Sequence, residues 1–127
     1  MKPPMHETIA AVTEARLDRA EGRLHLTFDD GTKSSFTPEF LRVLSPSAEV
    51  QGHGPGQTVT VPGKRGVGIA ALETVGNYAI RIVFDDGHET GIYSWAYFHE
   101  LASHEEAKWR DYLDALARQG LSRDVTP

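Results

Sequence analysis

Cysteine is missing from the chain altogether. That absence removes disulfide staples, thiol catalysis and thiolate ligation of zinc or iron–sulfur clusters. It also fits a reducing compartment. Positive charge is in short supply: 13 Lys plus Arg stand against 18 Asp plus Glu, a formal net charge of −5 with His neutral. Broad binding to nucleic acid or to an acidic membrane needs clustered cations, so neither partner is expected. No uninterrupted apolar run comes near the roughly 18 residues of a membrane-spanning helix. Residues 1–7 hold two prolines, a histidine and a glutamate rather than a signal-peptide pattern, so the expected location is cytoplasmic. This head and the tail after Gly120 are expected to be loosely held.

What is present suits one domain. The length of 127 residues lies inside the usual domain range of about 100–150 residues, enough for one core. The hydrophobic content of 39% and charged content of 24% are those of an ordinary globular chain. Composition therefore gives a class but no function.

The most informative pattern is an internal echo. Leu24-His25-Leu26-Thr27-Phe28 runs into Asp29-Asp30-Gly31, and Ile80-Arg81-Ile82-Val83-Phe84 runs into Asp85-Asp86-Gly87. Each run alternates as a half-buried strand does, and each meets an Asp-Gly turn signal. A second short strand follows at residues 33–36 and 89–93. With one inserted residue in the second copy, Thr37 matches Ser94, Phe40 matches Tyr97, Leu41 matches Phe98 and Leu44 matches Leu101. Thr37 and Ser94 are good N-caps, and Pro38 suits the first helical position. Each copy reads as strand, tight turn, strand, short helix, with aromatic and aliphatic residues pinning the helix to the sheet.

Residues 9–17 and 67–75 read as further strands, turned into the two copies at 18–22 and at Gly76-Asn77. Residues 45–66, rich in glycine, proline and serine, read mostly as loop, with a short edge strand an option at 58–61. Residues 103–119 read as one helix. Ser103 with Glu106 forms a capping-box pattern, Trp109, Leu113 and Leu116 share a face, and Gly120 supplies the stop. The expected fold is α+β in a single domain: an antiparallel sheet built around the two units, with a core over residues 9–101, plus the C-terminal helix.

Chemistry-bearing motifs are few. Gly66-Val67-Gly68-Ile69-Ala70-Ala71 has the spacing of a dinucleotide fingerprint, with Asp85 near the place of its acid. That reading needs a strand before and a full helix after, and Gly76-Asn77 cuts any helix short. Gly52-His53-Gly54-Pro55-Gly56-Gln57-Thr58 lacks the lysine of a phosphate-binding loop. Asp29, Asp30, Asp85 and Asp86 are expected to serve their turns rather than acid–base catalysis. Lys64 and Arg65 form a compact basic loop, expected to be solvated. No serine sits in a G-x-S-x-G elbow. Of the six histidines, His25 is expected to face solvent and His99 and His104 to lie at the surface or to cap. His6 falls in the head. His53, in a glycine-rich loop, and His88, after the second turn, are the two with functional positions.

The run Leu41-Arg42-Val43-Leu44-Ser45-Pro46-Ser47-Ala48-Glu49-Val50, then Gly52-His53-Gly54, and finally Phe84-Asp85-Asp86-Gly87-His88-Glu89-Thr90-Gly91-Ile92-Tyr93-Ser94-Trp95, with Val75-Gly76-Asn77-Tyr78 between, carries a resemblance. It is similar to the gamma-butyrobetaine hydroxylase-like N-terminal domain, over about residues 9–101. That family occurs ahead of oxygenase domains, as small standalone bacterial proteins, and fused to ATPases that carry iron–sulfur clusters. In the hydroxylases it resembles a zinc-bound module that supports structure and dimerisation. The resemblance places the zinc ligands at Ser45, Ser47, Val50 and His88, of which only His88 is a usual ligand. The expectation is therefore no zinc and no other cofactor.

The resemblance implies an accessory, protein-binding domain and no autonomous enzyme, with a partner in iron–sulfur protein assembly as the analogy. The candidate contact surface is Arg42, His53, His88, Tyr93 and Trp95, with core packing as the alternative for Tyr93 and Trp95. Two rival readings stand beside it. One is a metal-dependent or acid–base enzyme using His53 and His88, and the other is a homodimerisation module.

Overall fold

The computed structural model describes residues 10–52, 54 and 56–125. Strand β1, Val12–Asp18, pairs antiparallel with β2, Arg23–Phe28, which pairs with β3, Lys33–Phe36. Helix α1, Pro38–Val43, and a one-turn α2, Ala48–Gln51, follow. The pattern then recurs as β4, Ile69–Val75, β5, Ala79–Phe84, β6, Ile92–Ser94, and α3, Trp95–Ser103. Helix α4, Glu105–Gln119, closes the fold. The α+β class and the doubled unit are as expected. The strands divide into two three-stranded sheets, β1-β2-β3 and β4-β5-β6, one per unit.

The repetition reaches backbone detail. Both first strands slip register near their start, at Val12/Glu14 and at Ile69/Ala71. In both turns the glycine has a positive φ, 87° at Gly31 and 93° at Gly87, a conformation costly for other residues. In both, the second aspartate accepts the backbone N–H two residues on, Asp30 from Thr32 and Asp86 from His88, each at 3.0 Å. The caps are also equivalent: Thr37 Oγ1 accepts from Phe40 N at 3.2 Å, and Ser94 Oγ from Tyr97 N at 3.1 Å.

Alternation places Leu24, Leu26 and Phe28 of β2 and Ile80, Ile82 and Phe84 of β5 in one shared core. Phe36 stacks on Phe40 and Phe98, and Tyr93 stacks on Phe98, so the two units join through their aromatic residues. Burial of this kind stabilises by roughly 1.5–3 kcal/mol per large apolar side chain.

Several expectations are corrected. The helix expected at 103–119 is α4 alone, because Ser103 is the last residue of α3 and His104 stands between the helices. His104 makes no side-chain cap, so the capping-box pattern is unused. Leu113 is 38% exposed, while Tyr112 joins Leu116 and Trp109 against the core, spaced three and four residues along one face. Residues 58–61 form no strand; Val61 O and Thr60 Oγ1 instead accept hydrogen bonds from Tyr112 and Gln119 of α4. The tail is tied down through residue 123 by Gly63 N to Ser122 O at 2.8 Å and Arg65 N to Arg123 O at 3.0 Å. The head, residues 1–9, and His53 lie outside the described residues.

Candidate functional site

The structure brings Arg42 and His88 together at the second turn, where the end of α1 and the start of α2 fold over it. Arg42, in the last turn of α1, donates from Nε to Asp86 Oδ2 at 2.8 Å, and Lys64 Nζ reaches the same oxygen at 2.6 Å. Lys64 is thus an ion-pair partner rather than a solvated charge. Partial burial pushes the Asp86 carboxyl up, but Lys64, the His88 N–H and Arg42 outweigh it and hold it well below the usual range. Arg42 Nη1 is buried with no hydrogen-bond partner among the described residues.

His88 is only 6% exposed. Its Nε2 lies 2.9 Å from Ser45 Oγ and its Nδ1 lies 3.1 Å from Glu49 Oε1. Burial first, then the Arg42 charge, lowers the imidazole pKa, while Glu49 and Asp86 pull it the other way. Ser45 Oγ also accepts the Ser47 N–H at 3.2 Å, and Ser47 Oγ caps α2 through Glu49 N while meeting Thr90 Oγ1 at 2.7 Å. Val50 is buried.

Serine, histidine and glutamate in this order have the connectivity of a nucleophile, base and orienting acid. The geometry closes that route. Ser45 is 0% exposed, and a Cβ placed on Gly91 would lie 2.5 Å from Ser45 Oγ, so the Gly91 backbone sits directly over the hydroxyl. No attacking group can reach substrate there. The arrangement works as a hydrogen-bonded clamp between residues 45–49 and the second turn.

Tyr93 does not belong to a contact surface. It is 0% exposed, and its hydroxyl donates to Leu41 O. Burial raises its pKa far above the ordinary value. Tyr97 donates likewise to Leu44 O, and burial pushes its pKa up to about 12. Trp95 is half-buried, with Nε1 on Asn77 O at 2.8 Å. Tyr78, in the turn between β4 and β5, and Ile92, on β6, are exposed, and the Tyr78 carbonyl accepts the Trp95 N–H at 3.0 Å.

Among the described residues, one grouping of three His and carboxylate side chains could converge on a cation: Asp18, Glu21 and His25. It lies at the first hairpin, away from His88, and is knitted internally by His25 Nε2 to Glu21 at 2.9 Å. The glycines at 66 and 68 lead into β4 rather than a helix, and Asp85 accepts the Gly68 N–H at 3.0 Å. That removes the dinucleotide reading. His99 turns inward, its ring 4.3 Å from Phe28 and its Nε2 on Ala10 O.

A family profile described as gamma-butyrobetaine hydroxylase-like, N-terminal, matches residues 15–99. The chain belongs to this family. A protein solved by NMR is 41% identical, with a TM-score of 0.80 and 94% of each chain covered. A second NMR structure is 44% identical at a TM-score of 0.80, covering 97% of this chain and 91% of that one. A crystal structure of a protein of unknown function from Acidithiobacillus ferrooxidans ATCC 23270, of the DUF971 family, is 33% identical at a TM-score of 0.60. It covers 72% of this chain and 92% of its own. DUF971 is the same domain as the gamma-butyrobetaine hydroxylase-like N-terminal family. No curated protein matches.

Sequence reasoning located His88 and Arg42 but missed Glu49, Lys64 and the Ser45–His88 bond. The resemblance had already grouped Ser45, Ser47 and His88. Among the described residues, no helix is long and apolar enough to cross a membrane.

Proposed function

We propose that this member of the gamma-butyrobetaine hydroxylase-like N-terminal family is a non-catalytic accessory domain that binds a protein partner. The observation that carries this reading is the sealed clamp. His88 has both ring nitrogens engaged and Ser45 is covered by Gly91, so the groups best suited to chemistry are committed to structure. The rival acid–base reading loses His88 as a base in this arrangement, while His53 lies outside the described residues.

The same geometry supports loss of the family's zinc. Its ligand positions offer two hydroxyls, one alkyl side chain and one imidazole, and Ser45 and His88 satisfy each other directly. Hydroxyls compete poorly with thiolates for zinc. The link to iron–sulfur protein assembly rests on resemblance; without cysteine the chain would assist a partner rather than carry a cluster. A cytoplasmic setting belongs to the same proposal and is supported by the same lack of cysteine. Of the candidate contact residues, Tyr93 and His88 are buried, Arg42 is engaged by Asp86 and His53 lies outside the described residues, so the proposed surface keeps Trp95 and adds exposed Tyr78 and Ile92.

Protein purified without an affinity tag should contain no stoichiometric zinc or iron. One ion per chain would overturn the zinc-free reading. Partner capture from extract should fall sharply for a Tyr78→Ser, Ile92→Ser double variant, and undiminished recovery would count against this surface. A doubled solution molar mass abolished by the same variant would make the partner a second copy.

A further inference from the structure

A second region collects charge with no part in the clamp. The hairpin turn after β1, the Gly66-Val67-Gly68 segment, the start of α1 and the tail enclose a cleft of about 430 Å³. That is the scale of small-molecule sites. Three arginines line it: Arg19, Arg65 and Arg123. Leu17 and Val67, both half-buried, and the buried Ile69 also line it.

The three arginines differ in what they hold. Arg123 donates from Nε and Nη2 to Glu39 at 2.8 and 2.6 Å, which neutralises the one carboxylate lining the cleft. Arg65 is matched by Asp124, with Nε on Oδ1 at 2.5 Å. Arg19 has no carboxylate partner among the described residues. It donates from Nη1 to Ile69 O at 2.9 Å and from Nη2 to Ala70 O at 3.3 Å. A guanidinium has five N–H donors, so Arg19 is held in place with three unspent. Arg123 and Arg65 are thus matched by Glu39 and Asp124, and Asp85 sits at the cleft's edge on the Gly68 N–H at 3.0 Å, which leaves Arg19 as the cation here with no carboxylate bonded to it among the described residues.

We propose that this cleft binds a small organic carboxylate, its charged head on Arg19 and its apolar body along Leu17, Val67 and Ile69. The carbonyl tether orients the guanidinium before the ligand arrives, so less rotamer entropy is lost on binding. Forked N–H donors suit a planar carboxylate. A phosphate monoester shares the oxyanion chemistry and is separated by the test.

The test is an NMR titration of the full chain, following backbone amides, with hexanoate, hexanamide and inorganic phosphate against sodium chloride at matched ionic strength. Hexanoate is expected to shift the Gly66, Val67, Gly68 and Ile69 amides saturably, whereas hexanamide and chloride leave them in place. Arg19→Gln is expected to weaken hexanoate at least about tenfold. Gly66→Asp serves as a second variant, since a Cβ there meets nothing within 4 Å; its added carboxylate is expected to abolish binding without disturbing the fold. Tighter saturation by phosphate at the same amides supports the oxyanion site and reassigns the head group. Equal shifts from hexanoate and hexanamide, saturation by chloride, no saturation by either anion, or undiminished binding in both variants would overturn the proposal. A metal-bearing or partnerless protein would leave these outcomes unchanged, so this site stands or falls apart from the accessory role.

Discussion

In the first hairpin–helix unit, Thr32 follows the Asp-Asp-Gly turn and stays at the surface, with its N–H and hydroxyl both on Asp30. In the second, His88 holds the same place on the same backbone and is buried, bonded to Ser45 and Glu49. The turns are alike; their surroundings are not. Residues 45–51, leaving the first unit, fold over the turn of the second, and among the described residues nothing comparable covers the first. Their aromatic residues differ in the same sense. Phe36 and Phe40 in the first unit correspond to Tyr93 and Tyr97 in the second, whose hydroxyls donate to Leu41 and Leu44 carbonyls at the end of α1. A duplicated scaffold has thus become asymmetric: the second unit supplies the polar groups and the first supplies acceptors and cover.

Removing the matched core rings should show the largest effect. Phe36→Ala and Tyr93→Ala should each cost about 3–5 kcal/mol by urea unfolding. The Tyr93 variant should cost more, since the buried Leu41 carbonyl also loses its donor. Equal losses would remove the asymmetry assigned to the hydroxyl.

Exchanging the turn residues sharpens the contrast. His88→Thr should cost about 1–3 kcal/mol because Ser45 loses a buried partner, whereas Thr32→His should change stability by no more than about 0.5 kcal/mol. Acid sensitivity should follow the same residue. Burial and Arg42 lower the His88 pKa from its ordinary 6.5, against Glu49 and Asp86. As pH falls, the unfolded chain takes up this proton first, so the contribution is full above about pH 6.5 and is lost as pH falls through the folded value. The urea midpoint should drop as pH falls below about 6.5 in the native chain and drop less in His88→Thr. Parallel slopes would argue that His88 is not the group responsible.

The smallest test concerns what the units share. Thr37→Ala and Ser94→Ala each remove one equivalent cap and should each cost about 1 kcal/mol. A clear difference between them would show that the asymmetry extends into the helix starts.

The shared scaffold was legible because its signals are local. Alternation in Leu24 to Phe28 and Ile80 to Phe84, the Asp-Gly turns, and Thr37 and Ser94 each act within a few residues. The clamp was only partly legible, since Ser45 and His88 are 43 residues apart and meet through the fold. Lys64 looked solvated because its partner, Asp86, reads first as a turn residue. Ser103 and Glu106 spell a capping box, yet continuation of α3 through Ser103 overrides it. Arg19 shows no local sign at all, as its acceptors are carbonyls some fifty residues on.

The tail has a mechanical consequence. Ser122 and Arg123 accept backbone bonds from Gly63 and Arg65, while Arg123 reaches across to Glu39 of α1. Tension applied beyond residue 125 would meet this short ladder before reaching α4, so the clasp would take the first load. The segment joining the two units is therefore fastened near its far end, at Gly63 and Arg65.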